Sequence, residues 1–260
     1  MERIMRALLS FMTSLWAATA IVVATAIPTV AQETDDYAKL GPNAVAITAD
    51  AAYLRSAQAP DYWAFAPFTK PQFTTSACSI ATVTAAINGI MGQPQWASET
   101  IMSQTDLLDL AGDTQWAALS AEGGDGVTFQ QLADFTTAAL GAVELSRDVT
   151  VFHPAAAADG ARAQMIEMLV ENEASADDAI MVYFNQGVVT GDWDGPHISL
   201  IGAYDAAQDR VLILEVDQEW YIPYWTSVET LMEAIVKPTS DEHGPLEGET
   251  GGFVMIRAAG

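Results

Sequence analysis

The segment His197-Ile-Ser-Leu-Ile-Gly-Ala-Tyr204, followed by the turn Asp205-Ala-Ala-Gln-Asp209 and by Val211-Leu-Ile-Leu-Glu-Val216, predicts two adjacent antiparallel strands. Side chains alternate along a strand, so Glu215 and Asp217 project from one face. Either carboxylate can then accept a hydrogen bond from the His197 imidazole and fix its tautomer, as the orienting acid of a catalytic triad does.

A base of that kind serves a nucleophile, and the chain holds a single cysteine, Cys78. From Ser79 to Met91 the apolar residues Ile80, Val83, Ile87 and Ile90 recur at helical spacing, with Gly92 as a stop signal. Cys78 therefore starts a helix, where free backbone N–H groups and the helix dipole favour a thiolate. Gln72 precedes it by six residues, the spacing papain-like enzymes use for oxyanion donor and nucleophile. The competing readings are a small buried hydrophobe for Cys78 and a hydrogen-bonded structural histidine for His197. His153, before Pro154 in a loop, and His243, in a polar segment with Gly and Pro, read as surface residues.

Phe68 to Ala86, with Gln72 and Cys78, and Gly195 to Ile235 resemble the catalytic domain of phytochelatin synthases. The resemblance is weaker through Gly126 to Phe135 and Gly252 to Arg257. It implies an α+β, papain-like fold in which a helical lobe carrying the nucleophile packs on an antiparallel sheet carrying the histidine and the acid. It also implies roles: Cys78 as nucleophile, His197 as general base, Gln72 as oxyanion donor. The family's aspartate is Glu215 here, one methylene longer, with Asp217 as the alternative acid. Gln218 and Trp220 stand where the family carries an arginine and a lysine, the natural partners of a substrate carboxylate. Ser79 replaces a family glycine. The activity implied is γ-glutamylcysteine dipeptidyl transfer or hydrolysis on glutathione or a γ-glutamyl peptide through a Cys78 thioester. No tightly bound cofactor is expected, and cadmium or zinc enters as a metal-thiolate substrate or activator. Plant members carry a cysteine-rich C-terminal region; this chain has no further cysteine, so it reads as a bacterial short form in which hydrolysis competes with transfer.

The formal net charge of −24 argues against a nucleic-acid partner, whose phosphates it would repel. Two arginines before residue 7, an uncharged run from Ala7 to Val30 and the small-residue ending Thr29-Val30-Ala31 predict a signal peptide over residues 1–31. Cleavage near Ala31 would leave one domain, 32–260, exported to the periplasm without stable membrane association. The alternative is an uncleaved membrane anchor. A lone cysteine allows no internal disulfide. The oligomeric state has no signature in the sequence.

Elsewhere Thr128 and Gln131 form a capping box for a helix ending at Gly141, and Val143 with Leu145 predicts a short strand. A helix over Ala161 to Val170, a strand over Ala179 to Phe184, a rim loop from Gln186 to Gly195, a helix from Ser227 to Ile235 and a strand over Phe253 to Ile256 complete the pattern. Asp192-Trp193-Asp194-Gly195 lacks the acid that a calcium loop needs at its twelfth position, and Glu122 to Gly126 lacks the context of a phosphate loop. The absence of Cys-x-x-Cys and of paired histidines argues against structural zinc. Trp193, Trp220, Tyr221, Tyr224 and Trp225 either wall a pocket or fill the core. Two rival functions share these residues: a papain-like peptidase that trims leader peptides, and an acidic binding protein on a decayed enzyme scaffold.

Overall fold

Every residue of Ala179–Asn185 is buried, as in a strand covered on both faces. The computed structural model describes residues 39–260; the leader expected over residues 1–31 lies outside the described residues. In chain order the elements are β1 (Val45–Ala46), α1 (Ala52–Ser56), α2 (Pro60–Phe65), α3 (Cys78–Met91), α4 (Gln104–Ala111), α5 (Thr114–Leu119), α6 (Phe129–Ala142) and β2 (Arg147–Phe152). They continue with α7 (Asp159–Asn172), β3 (Ala179–Asn185), α8 (Gln186–Thr190), β4 (Pro196–Asp205), β5 (Arg210–Leu214), β6 (Tyr224–Ser227), α9 (Val228–Val236) and β7 (Gly252–Ala258).

The strands form one seven-stranded sheet in the order β1-β6-β5-β4-β3-β7-β2, and every neighbouring pair is antiparallel. Alternation along β3 and β4 sends side chains into two cores. Met181, Ile198 and Leu200 pack with Ile80, Val83 and Ile87 of α3 and Leu132 of α6. On the opposite side Val182, Phe184 and Ile201 pack with Met165 and Leu169 of α7 and Leu231 and Ile235 of α9. Each of the three fully buried α3 side chains contributes about 1.5–3 kcal/mol relative to exposure. Thr82 Oγ1 donates to the Ile198 carbonyl at 3.0 Å, fixing α3 along β4. The architecture is α+β, helices on both faces of an antiparallel sheet.

The capping box at Thr128 and the Ser227 cap form as the sequence predicts, and Gly92 closes α3 with φ 79°. Three expectations differ. Val143 and Leu145 form no strand: their N–H groups bond back to Ala139 and Leu140, Glu144 between them is left-handed, and pairing with β7 begins at Arg147. The segment from Gln186 opens as α8, capped by Asn185, before it becomes a loop. β5 ends at Leu214, so Glu215 and Asp217 lie beyond the ladder, where strand alternation no longer relates them.

Candidate active site

Cys78 is the first residue of α3, and Ala77 before it has no side chain to cap the helix. The first-turn N–H groups therefore remain available to an anion at the sulfur or beside it. The strap before Cys78 is pinned in place. Thr74 Oγ1 donates to the Ser120 carbonyl at 2.6 Å, Ser76 Oγ to the Gly124 carbonyl at 2.6 Å, and Thr75 bonds Glu122. Ser79 is buried and accepts from the Trp116 indole at 2.9 Å.

His197 lies at the start of β4, 3 % exposed. Its Nε2 is 2.6 Å from Glu215 Oε1 and 3.1 Å from Ser199 Oγ. Cys78 and His197 line the same cavity, and with Nε2 committed to Glu215 the ring nitrogen left for the sulfur is Nδ1. Burial alone would lower the pKa of His197, but the Glu215 carboxylate and Cys78 outweigh it and raise it to about 10.

Glu215 is fully buried. Besides His197, its Oε1 accepts from the Asp217 backbone N–H at 2.7 Å and from Ser199 Oγ at 3.3 Å, and Oε2 accepts from Gln186 Nε2 at 3.2 Å. Burial pushes its pKa up, yet the imidazolium and the Asp217 and Val216 backbone N–H groups prevail and hold the carboxyl below its ordinary value. The extra methylene relative to aspartate therefore fits, because the residue sits just past the end of β5. Asp217, the alternative acid, meets Glu215 through its backbone while its side chain lines the cleft; burial, above all, raises its pKa.

Gln72 joins the group through its backbone N–H, which donates to the Val216 carbonyl at 2.9 Å. Gln104 clamps the same loop, donating to the Pro71 carbonyl at 2.8 Å and accepting from the Phe73 N–H at 3.2 Å. Gln72, Cys78 and His197 line one cavity of about 590 Å3, with Asp217, Trp220 and Tyr221 on its walls. Cys78 also lines a second, smaller cavity of about 160 Å3, walled by Gly124, Asp125, Tyr183, Trp193 and His243. Tyr183 is buried and its hydroxyl has no partner among the described residues; burial, then the charges of Glu249 and Cys78, raise its pKa, so it remains a proton donor.

The sequence pattern brought Cys78, His197, Glu215 and Gln72 together, and the structure sets Gln72, Cys78 and His197 around one cleft with Glu215 buried behind His197. It did not reveal Gln186, Tyr183 or Lys39, which reach the site from other segments, nor Ser199, two residues from His197 on β4. The aromatic group divides: Tyr224 and Trp225 are core, whereas Trp193, Trp220 and Tyr221 face the cavity. The glycine-rich run at residues 122–126 supplies a cavity wall, and a Cβ on Gly124 would lie 2.4 Å from the Leu119 carbonyl. His153 is exposed and bonds Thr250, while His243 bonds the Asp194 carbonyl beside the smaller cavity. Among the described residues, no three His, Cys, Asp or Glu side chains are grouped to hold a metal ion, and no helix is long and apolar enough to cross a membrane.

A phytochelatin synthase family model matches residues 39–244. The chain belongs to the phytochelatin synthase family. No curated protein matches it. Membership carries, at the level of the family, glutathione as substrate and γ-glutamylcysteine transfer as the reaction. The match takes in Gln72, Cys78, His197 and Glu215, so this phytochelatin synthase relative has its whole cleft within the family segment.

Proposed function

We propose that the chain is a papain-like γ-glutamylcysteine dipeptidyl transferase and hydrolase, with Cys78 as nucleophile, His197 as base, Glu215 as orienting acid and Gln72 as oxyanion donor. The observation that carries this reading is the buried His197–Glu215 pair set beside Cys78.

The Cys78 proton resides on His197, which Glu215 holds as an imidazolium, and the thiolate attacks the carbonyl carbon of the Cys–Gly amide of glutathione. The Gln72 amide and the Cys78 backbone N–H donate to the oxyanion. The imidazolium then gives its proton to the glycine nitrogen, the C–N bond breaks, glycine departs and a γ-glutamylcysteinyl thioester remains on Cys78. Water attacking the thioester releases γ-glutamylcysteine; the α-amino group of a second glutathione gives phytochelatin. In either case His197 accepts the attacking group's proton, which restores the imidazolium beside the thiolate. Cadmium or zinc enters this scheme as the metal-thiolate form of a substrate. Residues 1–31 act as an export signal in this proposal, with the enzyme working in the periplasm; N-terminal sequencing of the exported protein tests that part.

Mass spectrometry of products from residues 32–260 with glutathione, with and without cadmium, tests the reading. Free glycine with γ-glutamylcysteine or phytochelatin, absent from Cys78→Ala, is the expected result. Intact glutathione in the presence of folded protein would replace it with leader-peptide cleavage or a binding role.

A further inference from the structure

The chain carries ten Lys and Arg against 34 Asp and Glu, so an anionic substrate is repelled unless a local cation meets it. Gln218 and Trp220 bring no charge to the cleft. Among the described residues, Lys39 is the one lysine or arginine lining the cavity that contains Gln72, Cys78 and His197. Its ammonium lies 5.1 Å above the centre of the Trp220 ring, so the tryptophan that replaces a cation in sequence carries one on its face. Asp192 Oδ2, which accepts from the Tyr221 hydroxyl at 2.8 Å, stands 3.4 Å from Lys39 Nζ. Asp192, as an ion-pair partner, and Trp220 orient the ammonium, and among the described residues one carboxylate oxygen at this distance does not take up all three of its N–H donors.

The chemistry at His197 says which ligand group arrives there. His197 must protonate the leaving nitrogen and later deprotonate the entering one, so both groups occupy the cavity that His197 lines. Leaving glycine presents a nitrogen, one carbon and a carboxylate; an entering α-amino acid presents the same three-part headgroup. We propose that Lys39 is the specificity residue of the cleft, binding the α-carboxylate beside the nitrogen that leaves with glycine or enters with the acceptor. The inference rests on the glutathione reading and deepens it.

The test compares glutathione with its analogue in which the glycine carboxylate is an amide, measuring release of glycine or glycinamide by wild type, Lys39→Met and Lys39→Arg. Wild type is expected to favour the carboxylate by at least about tenfold in kcat/KM, mostly through KM, as the loss of one charge-assisted hydrogen bond would give. Lys39→Met should remove that preference by losing efficiency on glutathione while turning over the amide as before, and Lys39→Arg should restore part of it. A preference that survives Lys39→Met, or equal turnover of both substrates by wild type, overturns the proposal while leaving the glutathione reading standing. No release from either substrate by wild type brings down the glutathione reading, and this inference with it.

Discussion

Glu215 and Asp61 are both fully buried carboxylates, yet their surroundings drive them to opposite charge states. Glu215 has His197 and donors from Ser199, Gln186 and the Asp217 backbone, and its pKa falls below the ordinary value. Among the described residues Asp61, in the first turn of α2, accepts from Asn172 alone, and its Oδ1 has no partner. Burial, then the charges of Glu173 and Asp178, push its pKa up to about 9, so it is neutral at pH 7. Burial by itself thus neutralises an acid. Beside Cys78 a buried charge persists because several donors converge on it.

The most damaging way to erase the contrast is Glu215→Gln, which keeps the shape and removes the charge that supports the imidazolium. The expected loss is about 10^3–10^4-fold in kcat, read from glycine release, with folding retained. Next is His197→Ala, which leaves Glu215 buried without its cation. Stability should fall by about 3–5 kcal/mol in urea denaturation at pH 7, and the double variant His197→Ala/Glu215→Ala should cost less than the two single changes added together.

The smallest effect belongs to Asp61→Asn. A raised carboxyl pKa means that the group's contribution is complete below its unfolded value near 3.8 and is lost as pH rises through about 9. Asp61→Asn should therefore gain roughly 1–3 kcal/mol at pH 8, change little near pH 4 and leave glycine release unaltered. Destabilisation at both pH values would show that Asp61 is held charged and would erase the contrast. The raised pKa of His197 works in the same direction: its pairing stabilises the fold fully below pH 6.5 and fades as pH approaches about 10. Wild type should lose stability between pH 7 and 10, less steeply in Asp61→Asn.

The elements that place the nucleophile and the base were legible because their signals are local. Helix α3 shows in its apolar spacing and its Gly92 stop, α6 in its capping box, and β4 with β5 in two apolar runs around a polar turn. Strand β2 was displaced to Arg147 because it is an edge strand, bonded only to β7 and largely exposed, so its hydrophobic alternation is faint. Asp217 rivalled Glu215 on paper because strand alternation was carried three residues past Leu214, where β5 stops. Lys39 and Gln186 could not be read, since their contacts depend on how separate segments converge, whereas Ser199, two residues from His197 on β4, was within reach of strand alternation; Asp61 gave no sign that it would be buried. The local pattern marked the reacting groups; the folded chain supplies the donors that let them keep their charge.

The most direct measurement is intact-mass spectrometry of the protein, quenched in acid after brief exposure to glutathione. A γ-glutamylcysteinyl adduct on Cys78, labile to hydroxylamine as a thioester is and missing from Cys78→Ser and Glu215→Gln, is the predicted result. Release of glycine without any Cys78 adduct, or at an undiminished rate from Cys78→Ala, would contradict a mechanism built on this thiol.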